Sequence, residues 1–378
     1  MDYRLTDEQL ALQKMAREFA QREIVPLARK MDEQEELDPF LVKRLAEYGL
    51  QSLNTPVEYG GSGLDAMGIC IVLEELARGC ASVAVASAAT ALAAYPLLLA
   101  GTDEQKKRFL PPIGEGGGLA SFCLTEAEAG SDAASIATTA VRVGREYVLN
   151  GIKAFVSNGG LAEFYLVFAT TDRTKGSKGI SAFVVPKGTP GLRIGKKLKT
   201  MGIRAADTRE IVLEDVRVPA GHLVGREGQG FVLAMEALDL ARPGVGAMSV
   251  GIAQAAFDMA LQYAKQRHQF GKPIAEFQTI QMMLADMAMK VEAARHLVYQ
   301  AAFTLEQGLP FTKEAAMAKA FASDVAMEVT TQAVQILGGY GFTRDYLAEK
   351  YMRDAKIMQI FEGTNQIQRL VIAKQLLA

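Results

Sequence analysis

Phe164–Thr171, FYLVFATT, and Ile180–Pro186, ISAFVVP, are two short apolar runs parted by DRTKGSKG. Runs of this length, rich in Val, Phe and Tyr and bounded by turn residues, read as strands. LASFCL, TTAVRV, EYVLNG and KAFVS before them and REIVLEDVRVP after them share the pattern, so residues 119–228 read as a compact β domain. On both sides the period changes. LALQKMAREFA (Leu10–Ala20) and FLVKRLAEYGL (Phe40–Leu50) repeat apolar residues at helical spacing, with breaks at YGGSGL and AGTDEQ, which makes residues 1–118 a helical domain. Beyond GREGQGF, residues 229–378 return to helical spacing in four long stretches, around 231–266, 277–307, 313–337 and 364–377, joined by connections short enough for antiparallel neighbours. The expected class is α+β, with the two helical parts packing as one body around the β domain.

A chain of 378 residues, 49% hydrophobic and 22% charged, has the composition of a folded globular protein of two or three domains. Its net charge of −2, without a long run of like charge, gives no field that would gather nucleic acid, which is not expected as a partner. Cys70, Cys80 and Cys123 form neither an even set nor a CxxC spacing; they read as free thiols in a reducing compartment, and the cytoplasm is the expected location. The N-terminal MDYRLTDEQL shows no pattern of a secretory or transit peptide. Cys80–Ala100, CASVAVASAATALAAYPLLLA, approaches the length of a membrane span but is rich in Ala and Ser. It reads as a buried helix that Pro96 ends, not as a span. His222, His268 and His296 lie far apart outside any HExxH pair, so no metal site is expected. GREGQG (Gly225–Gly230) lacks a Walker lysine and the preceding strand of a dinucleotide fingerprint and reads as a flexible domain junction, and QMMLADMAMK (Gln281–Lys290) as core filling.

Near the C-terminus, FEGTNQIQRL (Phe361–Leu370) sets a carboxylate, Glu362, between an apolar run and a Gly-Thr pair. Asn365 with Gln368 three residues on has the spacing of an N-cap and its capping-box partner, which opens a last helix there. Glu362 then projects from the turn before it. A solvated loop glutamate and a functional carboxylate are both consistent with that position.

The α–β–α order, with LTEAEAGSD (Leu124–Asp132), QRHQFGKP (Gln266–Pro273), QILGGYGF (Gln335–Phe342) and RDAKIMQIFEGTNQIQRL (Arg353–Leu370), resembles the acyl-CoA dehydrogenase flavoprotein family across essentially the whole chain, in its short- and medium-chain-like form. The resemblance implies an N-terminal helical domain, a β-barrel-like middle domain and a C-terminal four-helix bundle. It also implies FAD, an acyl-CoA substrate, and α,β-dehydrogenation to the trans-2-enoyl-CoA. An α-hydrogen of a thioester is a poor acid, so a base must sit at its face while donors hold the carbonyl oxygen as charge develops. By resemblance Glu362 is that base, its N–H and a ribityl hydroxyl hold the oxygen, and flavin N5 takes the β-hydride. The alternative base position of the family, on the first helix of the C-terminal domain, is here Ala241, which cannot take a proton.

The same resemblance implies further site residues. Phe122, Leu124 and Thr125 lie along the isoalloxazine, Ser131 near FAD and CoA, Phe155 where tryptophan is common, and Ser157 where threonine is common and flavin N5 is near. Arg267, Gln269, Phe270, Gln278, Gln335, Gly338 and Gly339 hold the adenosine and pyrophosphate across a subunit interface, with Thr364 and Gln366 beside the base. Asp239, Arg242 and Gly363 face the substrate, and Ala84, Ala88 and Ala91 line the acyl tail, where the lack of charge disfavours a dicarboxylic acyl group. LTEAEAGSD departs from the family in having Ala127 and Glu128 where Pro and Gly are usual. Implied partners are an electron-transfer flavoprotein and three further copies of the chain, a homotetramer built as a dimer of dimers. An acyl-CoA oxidase reoxidised by oxygen and a non-catalytic flavin-fold binding protein are the alternatives.

Overall fold

A computed structural model describes residues 5–377; Met1–Arg4 of the N-terminal segment read above lie outside the described residues. The first helices are α1 (Asp7–Phe19), α2 (Val25–Gln34), α3 (Pro39–Glu47), α4 (Ala66–Gly79), α5 (Ala81–Ala100) and α6 (Asp103–Phe109), with a π turn, Ala20–Ile24, between α1 and α2. Local chemistry sets their starts. Thr6 with Gln9, and Thr102 with Gln105, close capping boxes on α1 and α6, while Asp38 caps α3 ahead of Pro39.

The strands are β1 (Leu119–Cys123), β2 (Thr139–Val143), β3 (Glu146–Val156), β4 (Ala162–Thr170), β5 (Ile180–Pro186), β6 (Leu192–Lys197), β7 (Arg209–Pro219) and β8 (Leu223–Val224). They form one mixed sheet in the order β6-β7-β3-β2-β4-β5-β8, with β1 parallel to β4. The FYLVFATT run is the middle of this sheet, and both its faces are covered. Phe164, Leu166 and Phe168 pack toward α5 and the helices behind it, whereas Tyr165, Val167 and Ala169 pack into the opposite core with Tyr147 and Phe183.

The C-terminal helices are α7 (Gly230–Gln266), α8 (Gln278–Glu306), α9 (Thr312–Leu337), the one-turn α10 (Gly339–Phe342), α11 (Ala348–Met358) and α12 (Asn365–Leu377), with a two-residue hairpin, β9 (His268–Gln269) and β10 (Lys272–Pro273), after α7. One continuous core joins Phe19, Leu41 and Leu73 of the first part to Met248, Val298 and Met358 of the last, so the helical parts are one body. α5 and α7 are long and apolar enough to cross a membrane, yet each is mostly buried inside the protein.

The structure departs from the sequence reading in five places, one of them QMMLADMAMK, where Leu284 and Met287 fill the core but Met282 and Met289 are exposed. Pro96 does not end α5; the helix continues to Ala100, and Gly101 N–H bonds to the Leu97 carbonyl. Packing against α7 and β1 outweighs one lost helical hydrogen bond. Asn365 is not the cap of α12. Thr364 takes that place, its hydroxyl accepting from Ile367 N–H at 3.3 Å, and Gln368 turns back over the preceding turn instead of closing a capping box. α11 is a further helix of 11 residues outside the four stretches read from the sequence. GREGQG follows the short strand β8, and its Gly228 N–H bonds to the Ser181 hydroxyl, so it is a tied junction. The three cysteines are free and buried, and among the described residues no cluster could hold a metal ion.

Candidate active site

A cavity of about 320 Å³ lies where α5, the sheet and α7 meet the turn before α12. Glu362 forms its floor. Its backbone is left-handed, φ 54°, a strained conformation for a residue with a Cβ, and Gly363 follows at φ 93°. Two carbonyls of this turn are held from three helices. Gln368 Nε2 donates to both, at 3.1 Å to Glu362 and 3.0 Å to Gly363. Arg242 Nε on α7 reaches the Glu362 carbonyl at 3.4 Å, and Lys319 Nζ on α9 the Gly363 carbonyl at 2.9 Å. The N–H of Glu362 makes no hydrogen bond among the described residues.

The carboxylate itself is not a solvated loop group. Its Oε2 is buried without a hydrogen-bond partner, and burial pushes the proton affinity up to about 7, against the opposing pull of Arg242 and Lys319. Arg242 is buried and paired with Asp239, which also accepts from the Thr312 hydroxyl at 2.8 Å. Arg242 is thus an ion-pair member and a support of the Glu362 turn at once.

One wall comes from the end of β1 and the corner after β3. Phe122, Leu124, Thr125, Phe155 and Ser157 all line the cavity, with Ser131 exposed at its mouth. Phe155 is 65% exposed with a left-handed backbone, φ 56°. The corner is fixed from behind: buried Asn158 donates to the carbonyls of Ala86 and Ala120, and the Ser121 hydroxyl donates to Ser157 O at 2.8 Å. Leu124–Thr125 is tied by Lys153, fully buried, whose Nζ donates to Leu124 O at 3.0 Å and pairs with Glu126 at 2.7 Å. Despite Ala127 and Glu128, the loop closes through paired bonds between Glu126 and Ala129.

α5 contributes the apolar wall, through Val85, Ala88, Ala89 and Leu92. Ala88 is therefore at the cavity, but Ala84 and Ala91 are not: both are buried, and the Ala91 carbonyl accepts from Asn54. The lining residues follow i, i+3, i+4, i+7, and Ala84 and Ala91 each sit one position off that face.

Arg267, Gln269, Gly338 and Gly339 line a separate, open groove of about 570 Å³ with Tyr340 and Thr343. Arg267 stacks over the Tyr340 ring at 5.7 Å. Phe270, Gln278, Gln335 and Gln366 are exposed, and Thr364 is half-buried at the base turn. Of the residues now seen to build the site, the sequence reading had no place for Lys153, Glu126, Lys319 and Asn158. The available signal was polar residues inside apolar runs, such as the lysine of AAMAKAFA.

Family models for the N-terminal, middle and C-terminal domains of acyl-CoA dehydrogenase match residues 6–117, 121–216 and 228–377. The chain belongs to the acyl-CoA dehydrogenase family. It is 47% identical to the short-chain specific acyl-CoA dehydrogenase of Clostridium acetobutylicum over 99% of both chains. Butyryl-CoA dehydrogenase from Megasphaera elsdenii superposes with a TM-score of 0.97 at 47% identity, covering 100% of each chain. A chain solved in a study of the electron transferring flavoprotein of Acidaminococcus fermentans and flavin-based electron bifurcation superposes with a TM-score of 0.98 at 48% identity, also over 100% of each. The protein is an acyl-CoA dehydrogenase, an oxidoreductase of the FAD-dependent kind. The cavity fits that group: Thr125 and Ser157 offer hydroxyls that make no hydrogen bond among the described residues, beside the rings of Phe122 and Phe155.

Proposed function

We propose that Glu362 removes the α-proton of a neutral, short acyl-CoA thioester, giving the trans-2-enoyl-CoA. The observation that carries this reading is the buried Oε2 without a partner at the cavity floor, on a carboxylate whose proton affinity stands at about 7. A base of that strength is deprotonated enough to act near neutral pH and basic enough to take the proton. The unbonded N–H of Glu362 is available to the thioester oxygen, where it would stabilise the charge that develops as the proton leaves. The held carbonyls on the other side of the turn keep the carboxylate and that N–H in a fixed relation.

Phe122, Leu124, Thr125, Phe155 and Ser157 would hold the isoalloxazine end of FAD, with Ser131 at the mouth where CoA and FAD meet. Arg267, Gln269, Phe270, Gln278, Gln335, Gly338 and Gly339 would hold the adenosine and pyrophosphate end of an FAD shared with a second subunit, and Thr364 and Gln366 would complete it beside the base. FAD, when bound, supplies the acceptor of the β-hydride. The chain would then act as a homotetramer in the cytoplasm and pass electrons to an electron-transfer flavoprotein; the relative solved in a study of such a flavoprotein supports the last of these. The short-chain and butyryl-CoA relatives support a short acyl group, and the uncharged α5 wall supports a neutral one.

Anaerobic addition of butyryl-CoA should bleach the flavin of the wild-type protein, and faster than glutaryl-CoA does. Electron-transfer flavoprotein should restore the colour more effectively than air. Glu362→Gln should keep fold, FAD and acyl-CoA binding while reduction slows by at least the ~10² to 10⁴-fold of a lost general base. Near-normal bleaching by Glu362→Gln would mean that another group takes the α-proton.

A further inference from the structure

We infer that Lys319 is a positioning residue of the base: from α9 it ties down the turn that carries Glu362 and, beside Arg242, supplies positive charge that keeps that carboxylate ready to accept a proton. The inference rests on Glu362 being the base. Lys319 is fully buried, and among the described residues it stands in no ion pair. Its Nζ bonds to Gly363 O and to Asn365 Oδ1, both at 2.9 Å. Asn365 is itself locked, its Nδ2 donating to Ala320 O, Ser323 Oγ and Asp324 Oδ1. Burial lowers the proton affinity of Lys319 to about 7, and the attraction of Glu362 is the first of the influences that oppose this, so the charge of the lysine near neutral pH depends on that carboxylate.

The charged groups around it narrow that interaction. From α7 come Arg242 and Asp239, which pair with each other; from α9 Asp324, and from α12 Arg369, which also pair. From the turn comes Glu362, the one carboxylate of this set with an oxygen left unpartnered. Lys319 holds the carbonyl of the residue that follows Glu362, and both the lysine and Glu362 Oε2 are shut off from water, so their charges act on each other strongly across the gap. The cation favours the deprotonated carboxylate, the form that can take the α-proton.

Lys319→Gln separates charge from hydrogen bonding, because the amide still donates to Gly363 O. The readouts are the pH dependence of anaerobic flavin reduction by butyryl-CoA and the infrared titration of the Glu362 carboxyl, taken as a difference against Glu362→Gln. Both midpoints should rise by about one unit in Lys319→Gln, with reduction roughly tenfold slower below the midpoint and recovering at high pH. Lys319→Arg, which keeps the charge, should stay within about half a unit of wild type. An unchanged midpoint in a folded, FAD-loaded Lys319→Gln protein overturns the inference, as does a rise in Lys319→Arg as large as that in Lys319→Gln. A second measurement needs no change at Lys319. By reciprocity, Lys319 must lose its proton at lower pH in Glu362→Gln than in wild type, read by ¹⁵N NMR of labelled lysine; an equal midpoint overturns the inference even if Lys319→Gln does not fold. Near-normal reduction by Glu362→Gln would instead remove the base reading itself, whatever Lys319 does.

Discussion

The cavity over Glu362 and the groove of Arg267 and Gly338 differ in how much of each a single chain completes. α5, β1, β3, α7 and the turn before α12 enclose the first, and buried Asn158, Lys153 and Lys319 brace its walls. The second is open, with Phe270 at 93% and Phe342 at 84% exposure nearby and Arg267 resting on Tyr340. Aromatic side chains in water beside a groove lined by glycines mark a surface to be covered. On the function proposed above, the chemistry would belong to one subunit and grip on the far end of the cofactor would depend on two.

The largest effect should come from breaking the enclosed half. Glu362→Gln should lower the anaerobic reduction rate by ~10² to 10⁴-fold without loss of FAD. In that background Ala241→Glu places a carboxylate at the other position the family uses, and a measurable fraction of the rate should return.

A second effect is visible in stability. Glu362 has a folded-state proton affinity raised to about 7 against an unfolded value near ~4.3. Between those values the folded protein binds the extra proton, so this group's contribution to stability falls as pH rises through the window and its full cost is present above 7. Glu362→Gln removes that cost, on the order of 3 kcal/mol. Denaturant titration of both proteins with FAD bound should show Glu362→Gln gaining on wild type from pH 5 to pH 8; a pH-independent difference would mean that the carboxylate is solvated.

The open half should respond differently. Arg267→Ala should weaken FAD retention roughly tenfold, the scale of one exposed charged contact, while subunits that still hold FAD reduce it at the wild-type rate. Dilution to monomer should release FAD from wild type as well. A monomer that keeps its full cofactor content would break the comparison, because the groove would then serve no shared site.

Legibility in the sequence followed burial chemistry. The strand at Phe164–Ala169 was readable because both its faces are apolar, and α7, α8 and α9 because their inner faces repeat at helical spacing. α11 was not, since its inward side carries Lys350 and Asp354, paired with each other while fully buried, and Arg353, paired with Asp32. These charges interrupt the buried stripe of Ala348, Tyr351, Ala355 and Met358, whose two alanines make it faint in the sequence. Lys319 and Lys153 were passed over for a related reason: a lysine inside an apolar run is a faint signal that does not say which partner it meets. Glu362 was readable only through its motif; the three-helix hold on its turn joins residues up to 126 positions apart, Arg242 to Gln368.

The smallest effect tests the α5 wall, where register decides which alanine matters. Ala88 faces the cavity, while Ala84 and Ala91 lie in the core one position off that face. Ala88→Leu adds three carbons into a space of about 320 Å³ that FAD and the acyl chain must share. It should therefore reduce kcat/KM for hexanoyl-CoA relative to butyryl-CoA by about tenfold, the discrimination that one or two methylenes' worth of fit supplies. Ala91→Leu inserts the same group into closed packing, where overpacking costs ~1–3 kcal/mol of stability. Its acyl-chain ratio should stay at the wild-type value in the protein that folds. A chain-length shift from Ala91→Leu and none from Ala88→Leu would mean that the acyl chain runs along a different face of α5 from the one that lines the Glu362 cavity.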